Sequence, residues 1–323
     1  MATQQSGKNI KCGYCQAEIT IPPFASVVTC DYCGTPNELQ TGKTIQNHHM
    51  LSVYFSGSEL TELIPQYLSK YVGVPTDFAD KAIFNQFDLK MMPFWVFKFS
   101  GQTVYQGIGK YVNPSQSPAW SRTIDINSKP ESGSIDIDET RLIFGYKEQF
   151  REIRDEKIPV GSKQAFDIKA VKAEGGQIFD TQIGYEEAYR IAEGQVKEHH
   201  NQLIFREVYK VERANQNIQL KEISYLHVPF YRVAYSYGNW KGEALVDAAR
   251  GKVLRAEYPL SRTHRFWGIV TMLVAIGIIV GAIILLLQLP SWQYAAYTAI
   301  GIFGILILYE LTQIFRKKKV AAE

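Results

Sequence analysis

Two long apolar runs near the C-terminus are the clearest feature of the hydrophobic pattern. Residues 267–288 carry no charge, and a second uncharged run extends from Trp292 to Tyr309. As a helix, the first run reaches about 33 Å, which is enough to cross the hydrocarbon core of a bilayer. The pattern predicts a hairpin of two transmembrane helices over residues 261–319.

Basic residues at the ends of these runs predict how the hairpin is oriented. Arg262 and Arg265 precede the first run, residues 316–319 form a basic cluster after the second, and the loop at 289–291 is uncharged. Basic flanks favour the cytoplasmic side, so both termini are expected in the cytoplasm. The span interiors contain no Asp, Glu, Lys, Arg or His, which indicates an anchor and not an ion or proton path.

An alternating pattern predicts two strands in the middle of the chain. Residues 93–99 and 229–235 each begin Pro-Phe-aromatic and continue with period-2 alternation. Such alternation predicts strands with one buried aromatic face, and the glycine after each, Gly101 or Gly238, indicates a turn. An apolar helical stripe precedes each strand. The stripes are Leu60, Leu63, Ile64, Tyr67, Leu68 and Tyr71 in the first case, and Tyr185, Ala188, Ala192 and Val196 in the second.

The likeness of these two segments predicts a duplicated helix-plus-antiparallel-sheet body, and so an α+β fold. The alternative is two ordinary amphipathic strands that share a common pattern. Residues 113–139 are rich in Ser, Pro and Asp, which indicates a long loop. The predicted segments are a disordered N-terminus (1–10), a ribbon (11–40), a linker (41–52), a first α+β unit (53–112), a loop-rich insertion (113–160), a second α+β unit (161–260) and the transmembrane hairpin (261–319).

Four cysteines, the only ones in the chain, carry its candidate chemistry. Cys12 and Cys15 form one Cys-x-x-Cys hook, and Cys30 and Cys33 form a second hook fourteen residues later. Each hook can present two sulfur atoms to one ion, and four thiolates at about 2.3 Å suit tetrahedral Zn²⁺. The spacing therefore predicts a zinc site. Iron in a rubredoxin-like site is a second possibility, and two disulfides or four unrelated cysteines are the interpretation without a metal.

Residues 11–39 resemble the zinc-ribbon family, through the four cysteines and through Gly34 after the second hook. Gln16 occupies the equivalent place after the first hook, which departs from the pattern. The resemblance implies a rubredoxin-like ribbon, and the strand-like runs 18–21 and 26–29 match its hairpin. So small a module needs the metal to fold. Four thiolates leave no open position for a catalytic water, so the zinc is expected to be structural.

The charge of the ribbon argues against nucleic-acid binding. Lys11 is its only Lys or Arg, against Glu18, Asp31 and Glu38, whereas phosphate binding needs a basic patch. Residues 1–260 contain 29 Lys and Arg against 30 Asp and Glu, so the net charge of +3 arises at the membrane flanks. Nucleic acid is not the expected partner.

Residues 184–254 resemble, more loosely, a PepSY-type unit. The helix from Glu186 to Ala192 is similar to the opening helix of that family, and residues 246–248 followed by 251–253 are similar to its closing strand and turn. The resemblance implies a small binding or inhibitory module. An Asp followed four residues later by a Gly is also ordinary turn chemistry, in which the glycine supplies a positive φ.

No catalytic constellation is evident, and no enzyme is predicted. Adjacent histidines point apart on a helix, so neither His48-His49 nor His199-His200 is expected to supply two ligands to one ion. His199 is expected to continue a helical stripe, and His200 to interact with the dipole at the helix C-terminus. The chain lacks a glycine-rich phosphate loop, a nucleophile elbow and a His-Glu-x-x-His helix. A cryptic site assembled from polar residues is the alternative.

Together these features predict a membrane-anchored cytoplasmic zinc-ribbon protein that acts as a protein-interaction or scaffold module. Its ribbon and aromatic sheet faces would bind an unidentified protein at the cytoplasmic membrane face. The alternative is a membrane-tethered ribbon that binds nucleic acid. Gly277 and Gly281 lie one helical turn apart, and they would allow homodimerisation because small residues let helices approach closely in lipid.

Overall fold

The computed structural model describes residues 9–113, 125–147, 150–154, 156–288, 293–315 and 319–322. Within these residues the chain is α+β with mostly antiparallel pairing, as the sequence predicts. Most of the N-terminus predicted to be disordered, residues 1–8, and part of the predicted loop, residues 114–124, lie outside the described residues.

The described residues form thirteen strands and seven α-helices. The strands are β1 (Asn9–Lys11), β2 (Glu18–Thr20), β3 (Val27–Thr29), β4 (Pro36–Glu38), β5 (His48–Met50), β6 (Ile83–Asn113), β7 (Asp125–Phe144), β8 (Gln164–Ala165), β9 (Gln177–Ile178), β10 (Lys210–Tyr237), β11 (Trp240–Asp247), β12 (Lys252–Tyr258) and β13 (Lys319–Ala322). The helices are α1 (Gly57–Leu68), α2 (Phe78–Lys81), α3 (Arg151–Arg154), α4 (Ile168–Ala173), α5 (Tyr185–Glu207), α6 (Arg262–Gln288) and α7 (Gln293–Phe315), with a 3-10 turn at Val160–Ser162.

The chain divides into two compact units, each assembled from two stretches of sequence. The first contains Met1–Ser52 and Lys90–Pro229, and the second contains Val53–Leu89 and Phe230–Glu323. The domain boundaries expected from the sequence were drawn from composition and from the proposed duplication. The two units are defined by spatial contacts, which is a different criterion, so the expected boundaries stay a prediction.

The first unit is built on a long antiparallel pair, β6 and β7. The pairing extends along β7 from Asp125 to Phe144. This strand occupies residues 125–144 of the predicted loop-rich insertion (113–160), so the prediction of a loop is wrong for that part. Ser and Asp occupy exposed positions of β7, while Ile137 and Ile143 are buried. The polar composition favoured a loop, but the period-2 alternation within it is that of a strand.

Shorter pairings connect the N-terminal part of the first unit to its sheet. β5 pairs in parallel with β10, which places His48 opposite Tyr225, and β5 also pairs with β8. β6 pairs with β10 and, in parallel, with β9. The predicted linker at 41–52 is therefore partly a strand of this sheet.

Helix α5 packs on the sheet of the first unit through the predicted stripe. Ala188, Ala192 and Val196 are buried in the same cluster as Trp95, whose Nε1 donates to Ile183 O at 2.8 Å. All residues from 91 to 97 are buried, so both faces of this strand segment lie in the core, whereas the sequence predicted a single buried face. The aromatic side chains of this segment are consequently core and not a contact surface.

Gly101 lies inside β6, whereas the sequence predicted a turn at this residue. Its φ is +143°, and a Cβ at this position would lie 1.9 Å from the backbone oxygen of Asn217. A glycine inside a strand permits this close approach of two backbones. The turn predicted at Gly238 is confirmed, between β10 and β11, with a φ of 57°.

In the second unit, the end of β10 pairs with β11, β11 with β12, and β12 with β13, all antiparallel. The predicted turn between β11 and β12 is confirmed: Gly251 N donates to Asp247 O at 2.8 Å, and Gly251 has a φ of 66°. Helix α1 begins with a capping box in which Ser56 N donates to Glu59 Oε2 at 3.0 Å. It ends before Tyr71, the last residue of the predicted stripe.

Helix α6 is the one helix in the described residues that is long and apolar enough to cross a membrane, over Phe266–Ile284 with a mean hydropathy of 2.6. Its large apolar side chains, such as Trp267 and Leu273, are exposed, unlike those of a core helix in a soluble protein. The second predicted span, at 292–309, falls on α7, which contacts α6. Since only α6 meets the criteria among the described residues, they do not support two spans.

Gly101→Ala is expected to destabilise the first unit strongly, because the added methyl group would overlap Asn217 O. We expect a loss of more than about 3 kcal/mol in the free energy of unfolding. Gly194→Ala is the matched control, since Gly194 lies in α5 with nothing within 4 Å of an added Cβ. Alanine should stabilise that helix by about 0.5–1 kcal/mol. Chemical unfolding in detergent measures both variants, and equal stabilities would contradict the close approach at Gly101.

Candidate metal centre

Each Cys-x-x-Cys hook forms the tip of its own short β-hairpin. β1 pairs with β2 around the first hook, and β3 pairs with β4 around the second. The strand-like runs at 18–21 and 26–29 therefore pair with neighbours across their own hooks, which corrects the expectation that they form one hairpin. The physical reason is that a hook reverses the chain by itself and so brings its own flanking residues together.

The two hairpin tips have matching backbone geometry. The hydrogen bonds are Cys12 N to Ala17 O (2.8 Å) and Gln16 N to Cys12 O (3.1 Å) in the first tip, and Cys30 N to Thr35 O (3.0 Å) and Gly34 N to Cys30 O (2.8 Å) in the second. Gln16 and Gly34 both lie in the left-handed region, with φ of 63° and 76°. Gln16 thus keeps the backbone of the ribbon pattern, at a cost of about 1–2 kcal/mol that glycine avoids.

The four sulfur atoms meet between these tips, all within 4.8 Å of one another. Cys12 Sγ lies 3.7 Å from Cys33 Sγ, and Cys15 Sγ lies 3.7 Å from Cys30 Sγ. A tetrahedron with metal–sulfur bonds of about 2.3 Å has edges of about 3.8 Å. A disulfide needs a sulfur–sulfur distance of about 2.05 Å. The spacing therefore fits four thiolates around one metal ion and does not fit two disulfides.

Hydrogen bonds favour the thiolate form of Cys12, whereas burial disfavours the thiolate form of Cys30. Burial raises the pKa of Cys12, but the backbone N–H groups of Cys15 and Tyr14 and other hydrogen bonds lower it overall, to about 6. Burial raises the pKa of Cys30 to about 12. A bound cation reverses this penalty because coordination deprotonates the thiol.

Asn37 is a residue of this centre that the sequence analysis missed. Its side chain is buried, its Oδ1 accepts from Gly13 N at 2.8 Å, and its Nδ2 donates to Thr35 O at 2.8 Å. The same Nδ2 lies 3.7 Å from Cys12 Sγ. Asn37 thus joins the two hooks without being a ligand. Its only signal in the sequence is its position four residues after Cys33.

The ribbon is fixed to the rest of the first unit by hydrogen bonds that no local pattern reveals. Thr29 N donates to Asp180 Oδ1 at 2.7 Å, and Tyr185 N donates to Glu38 Oε1 at 3.1 Å. The partners are 151 and 147 positions apart in the sequence. Burial raises the pKa of Asp180 to about 7. The ribbon is therefore an integral part of this unit.

A chain of hydrogen bonds through two histidines starts directly after the second hook. His48 Nδ1 lies 2.8 Å from Gly34 O, His48 Nε2 lies 2.7 Å from His227 Nδ1, and His227 Nε2 lies 3.1 Å from Phe179 O. Burial lowers the pKa of His48 well below its ordinary value and that of His227 to about 4. Two neutral rings supply two N–H groups for three contacts. One added proton would supply the third N–H donor that these contacts need. The positive charge of the pair would then oppose the binding of a second proton.

The tandem pair on α5 differs from its prediction. His200 is 1% exposed and continues the buried stripe, whereas the side chain of His199 is 45% exposed. Because α5 continues to Glu207, His200 does not lie at the helix end. Both rings contact Glu139 of β7, so their nitrogens lie close together although the sequence did not lead us to expect two ligands for one ion here.

Comparison with known proteins assigns no family. A scan of protein-family models and searches of curated proteins and of solved structures find no match to this chain. The four-cysteine geometry is compatible with the zinc-ribbon resemblance, and the PepSY-type resemblance rests on its residues alone. Function is therefore inferred from the geometry of the sites.

Acid is expected to weaken the first unit through the His48–His227 pair. In the unfolded chain both rings bind protons below a pKa of about 6.5. The folded pair takes up at most one proton above about pH 4, because the pKa of His227 is lowered to that value. Since these two rings bind more protons in the unfolded chain, their contribution to the free energy of unfolding falls as the pH falls from about 6.5 to about 4. The slope is about 1.4 kcal/mol per pH unit for each proton of difference.

Chemical unfolding of the wild type and of His227→Gln across this pH range measures the effect. Acid also protonates metal-binding thiolates, but that loss is common to both proteins. The wild type should lose more stability than the variant, because it contains one more titrating group with a lowered pKa. Equal pH slopes would contradict this assignment.

Proposed function

We propose that this protein is a membrane-anchored zinc-ribbon protein that binds another protein at the cytoplasmic membrane face, without catalysis. The observation that carries the proposal is the convergence of four sulfur atoms in a chain that also contains an exposed apolar helix. The first feature suits a structural metal, and the second suits a lipid anchor. Neither a structural metal nor a lipid anchor requires a catalytic activity.

The donor set favours zinc as the metal. Four sulfur ligands at tetrahedral spacing are typical of structural Zn²⁺ and leave no position for a water molecule. A reducing cytoplasm keeps the thiols available to the ion. The four strands of the ribbon have three residues each, so the ribbon buries little apolar surface and depends on the metal for its stability.

The anchor is proposed to be a two-helix hairpin formed by α6 and α7. The exposed apolar side chains of Phe266–Ile284 need a covering of lipid. Residues 292–309 carry no charge, and α7 contacts α6, which supports α7 as a second span. The basic residues in the first turn of α6, Arg262 and Arg265, and those after residue 315 favour cytoplasmic termini.

We also propose that two copies of the chain associate through α6. A Cβ on Gly277 or Gly281 would meet no atom of the described residues within 4 Å. This face of α6 is therefore open to another helix, and small residues favour close helix packing in lipid.

Exposed tyrosines at the hooks support a protein partner. Tyr14 and Tyr32 occupy the third position of their hooks and are 76% and 74% exposed. Exposed aromatic residues on a rigid scaffold are typical of protein-contact surfaces. Trp95 and Tyr231 are buried, so the aromatic sheet faces do not share this role. The proposed contact surface is accordingly the pair of hook tips.

The double variant Tyr14→Ser and Tyr32→Ser tests this contact. Photo-crosslinking in intact membranes should capture a discrete partner with the wild type, and the double variant should capture at least about tenfold less of it. Its zinc content should be unchanged, because neither tyrosine is a ligand. Tyr54→Ser is the matched control, since Tyr54 is an exposed tyrosine outside the ribbon. Undiminished capture, or salt-sensitive binding of nucleic acid by the same tyrosines, would refute the proposed contact.

Protease access to a tag at each terminus tests the anchor. With two spans and cytoplasmic termini, both tags should be cut in inside-out vesicles and protected in right-side-out vesicles. A single span would place the two tags on opposite sides. Extraction of the chain from membranes by alkaline carbonate would show that it does not span them.

A further inference from the structure

A second cluster of metal-ligating side chains lies between β7 and α5, apart from the cysteines. Glu139 Oε1 lies 2.6 Å from His199 Nδ1 and 3.0 Å from His200 Nε2. One ligand atom from each of the three residues lies within 4.8 Å of the others. Two imidazole nitrogens and one carboxylate oxygen therefore converge on one point.

This convergence follows from the way β7 meets α5. Along β7 the exposed residues alternate with those that face the helix, and Glu139 is in the second set. His200 continues the buried stripe of α5, and His199 lies at the border of that stripe. One carboxylate placed opposite the border can reach both rings.

We propose that Glu139, His199 and His200 bind a divalent metal ion such as Zn²⁺. Two histidines and one carboxylate are a familiar ligand set for such an ion, at about 2.0–2.2 Å. Three protein ligands leave a coordination position open. That position adjoins a surface depression of about 530 Å³ lined in part by His199 and Arg141, which gives water or a small ligand access to the ion.

The neighbours of the three ligands support this role. A ring that binds a metal through Nε2 must carry its proton on Nδ1, and His200 Nδ1 lies 3.2 Å from Thr103 Oγ1, which can accept a hydrogen bond from that N–H group. Arg141 contacts the other oxygen of Glu139. Outer hydrogen bonds of this kind orient metal ligands. The positive charge of Arg141 opposes a cation, so this site should bind more weakly than the four thiolates.

The geometry needs only a small change to accept the ion. A tetrahedral site with bonds of about 2.0–2.1 Å has ligand–ligand edges of about 3.3 Å. The contacts of Glu139 Oε1 with His199 and His200, at 2.6 Å and 3.0 Å, are shorter than this edge by about 0.7 Å and 0.3 Å, as expected of hydrogen bonds that an ion would replace. The exposed His199 side chain can open them by rotation, while His200 stays in the core.

The test is a Zn²⁺ titration of the full chain in detergent, starting from protein that already contains one zinc per chain. Isothermal calorimetry should detect a second equivalent, and NMR should show its effect on the His199 and His200 ring protons. His199→Ala and Glu139→Gln should weaken the second equivalent at least about tenfold. Glu186→Gln is the matched control, because it neutralises an exposed carboxylate of the same helix that lies outside the cluster and the depression, and it should bind like the wild type.

Each outcome decides the assignment. Binding of a second ion that is lost in His199→Ala and kept in Glu186→Gln supports it. No second equivalent in the wild type, or equal binding by His199→Ala and the wild type, overturns it and leaves the cluster as an ion pair. His199→Ala is the decisive variant because its exposed side chain contributes little to folding. Loss of the first equivalent in Cys12→Ser concerns the ribbon alone, so failure of one site is distinguishable from failure of the other.

Discussion

The contact of four sulfur atoms between two hairpin tips is the constraint on which the ribbon depends. Its strands have three residues each, and two-stranded hairpins of that length are not stable alone in water. The short sulfur pairs, Cys12 with Cys33 and Cys15 with Cys30, each join one hook to the other. A metal at this point would fix both turns at once. Its first contribution would therefore be to folding, and the recognition that we propose for the hook tips depends on that folding.

The same centre is coupled to the sheet of the first unit through polar contacts. Gly34 O begins the chain through His48 and His227, and Thr29 N reaches the buried carboxyl of Asp180. Buried polar groups of this kind are costly when they lose a partner. A ribbon that unfolds would leave these groups unpaired. The hooks are consequently held in a fixed position on their unit, which is what a pre-organised contact surface requires.

Local patterns predicted the features that local chemistry determines. The hooks, the stripe of Ala188, Ala192 and Val196, and the apolar stretch within α6 all follow from spacing along one element. Composition misled where polar residues form a strand, as in β7. The role of Gly101 was missed because it depends on a backbone more than a hundred residues away. The contacts of His48 and Glu139 were missed for the same reason, since their partners lie on distant strands and helices.

The two clusters differ in the way that separates structural from exchangeable metal sites. The four cysteines would fill all four coordination positions of an ion, and the neutral amide of Asn37 lies beside them. The cluster at Glu139 offers three ligands, has a cation beside it and opens to the surface. A closed thiolate site retains its ion, whereas an open site of mixed ligands exchanges it with the surroundings. If both are occupied, the first sets the shape of the ribbon, and only the second can respond to the metal concentration of its surroundings.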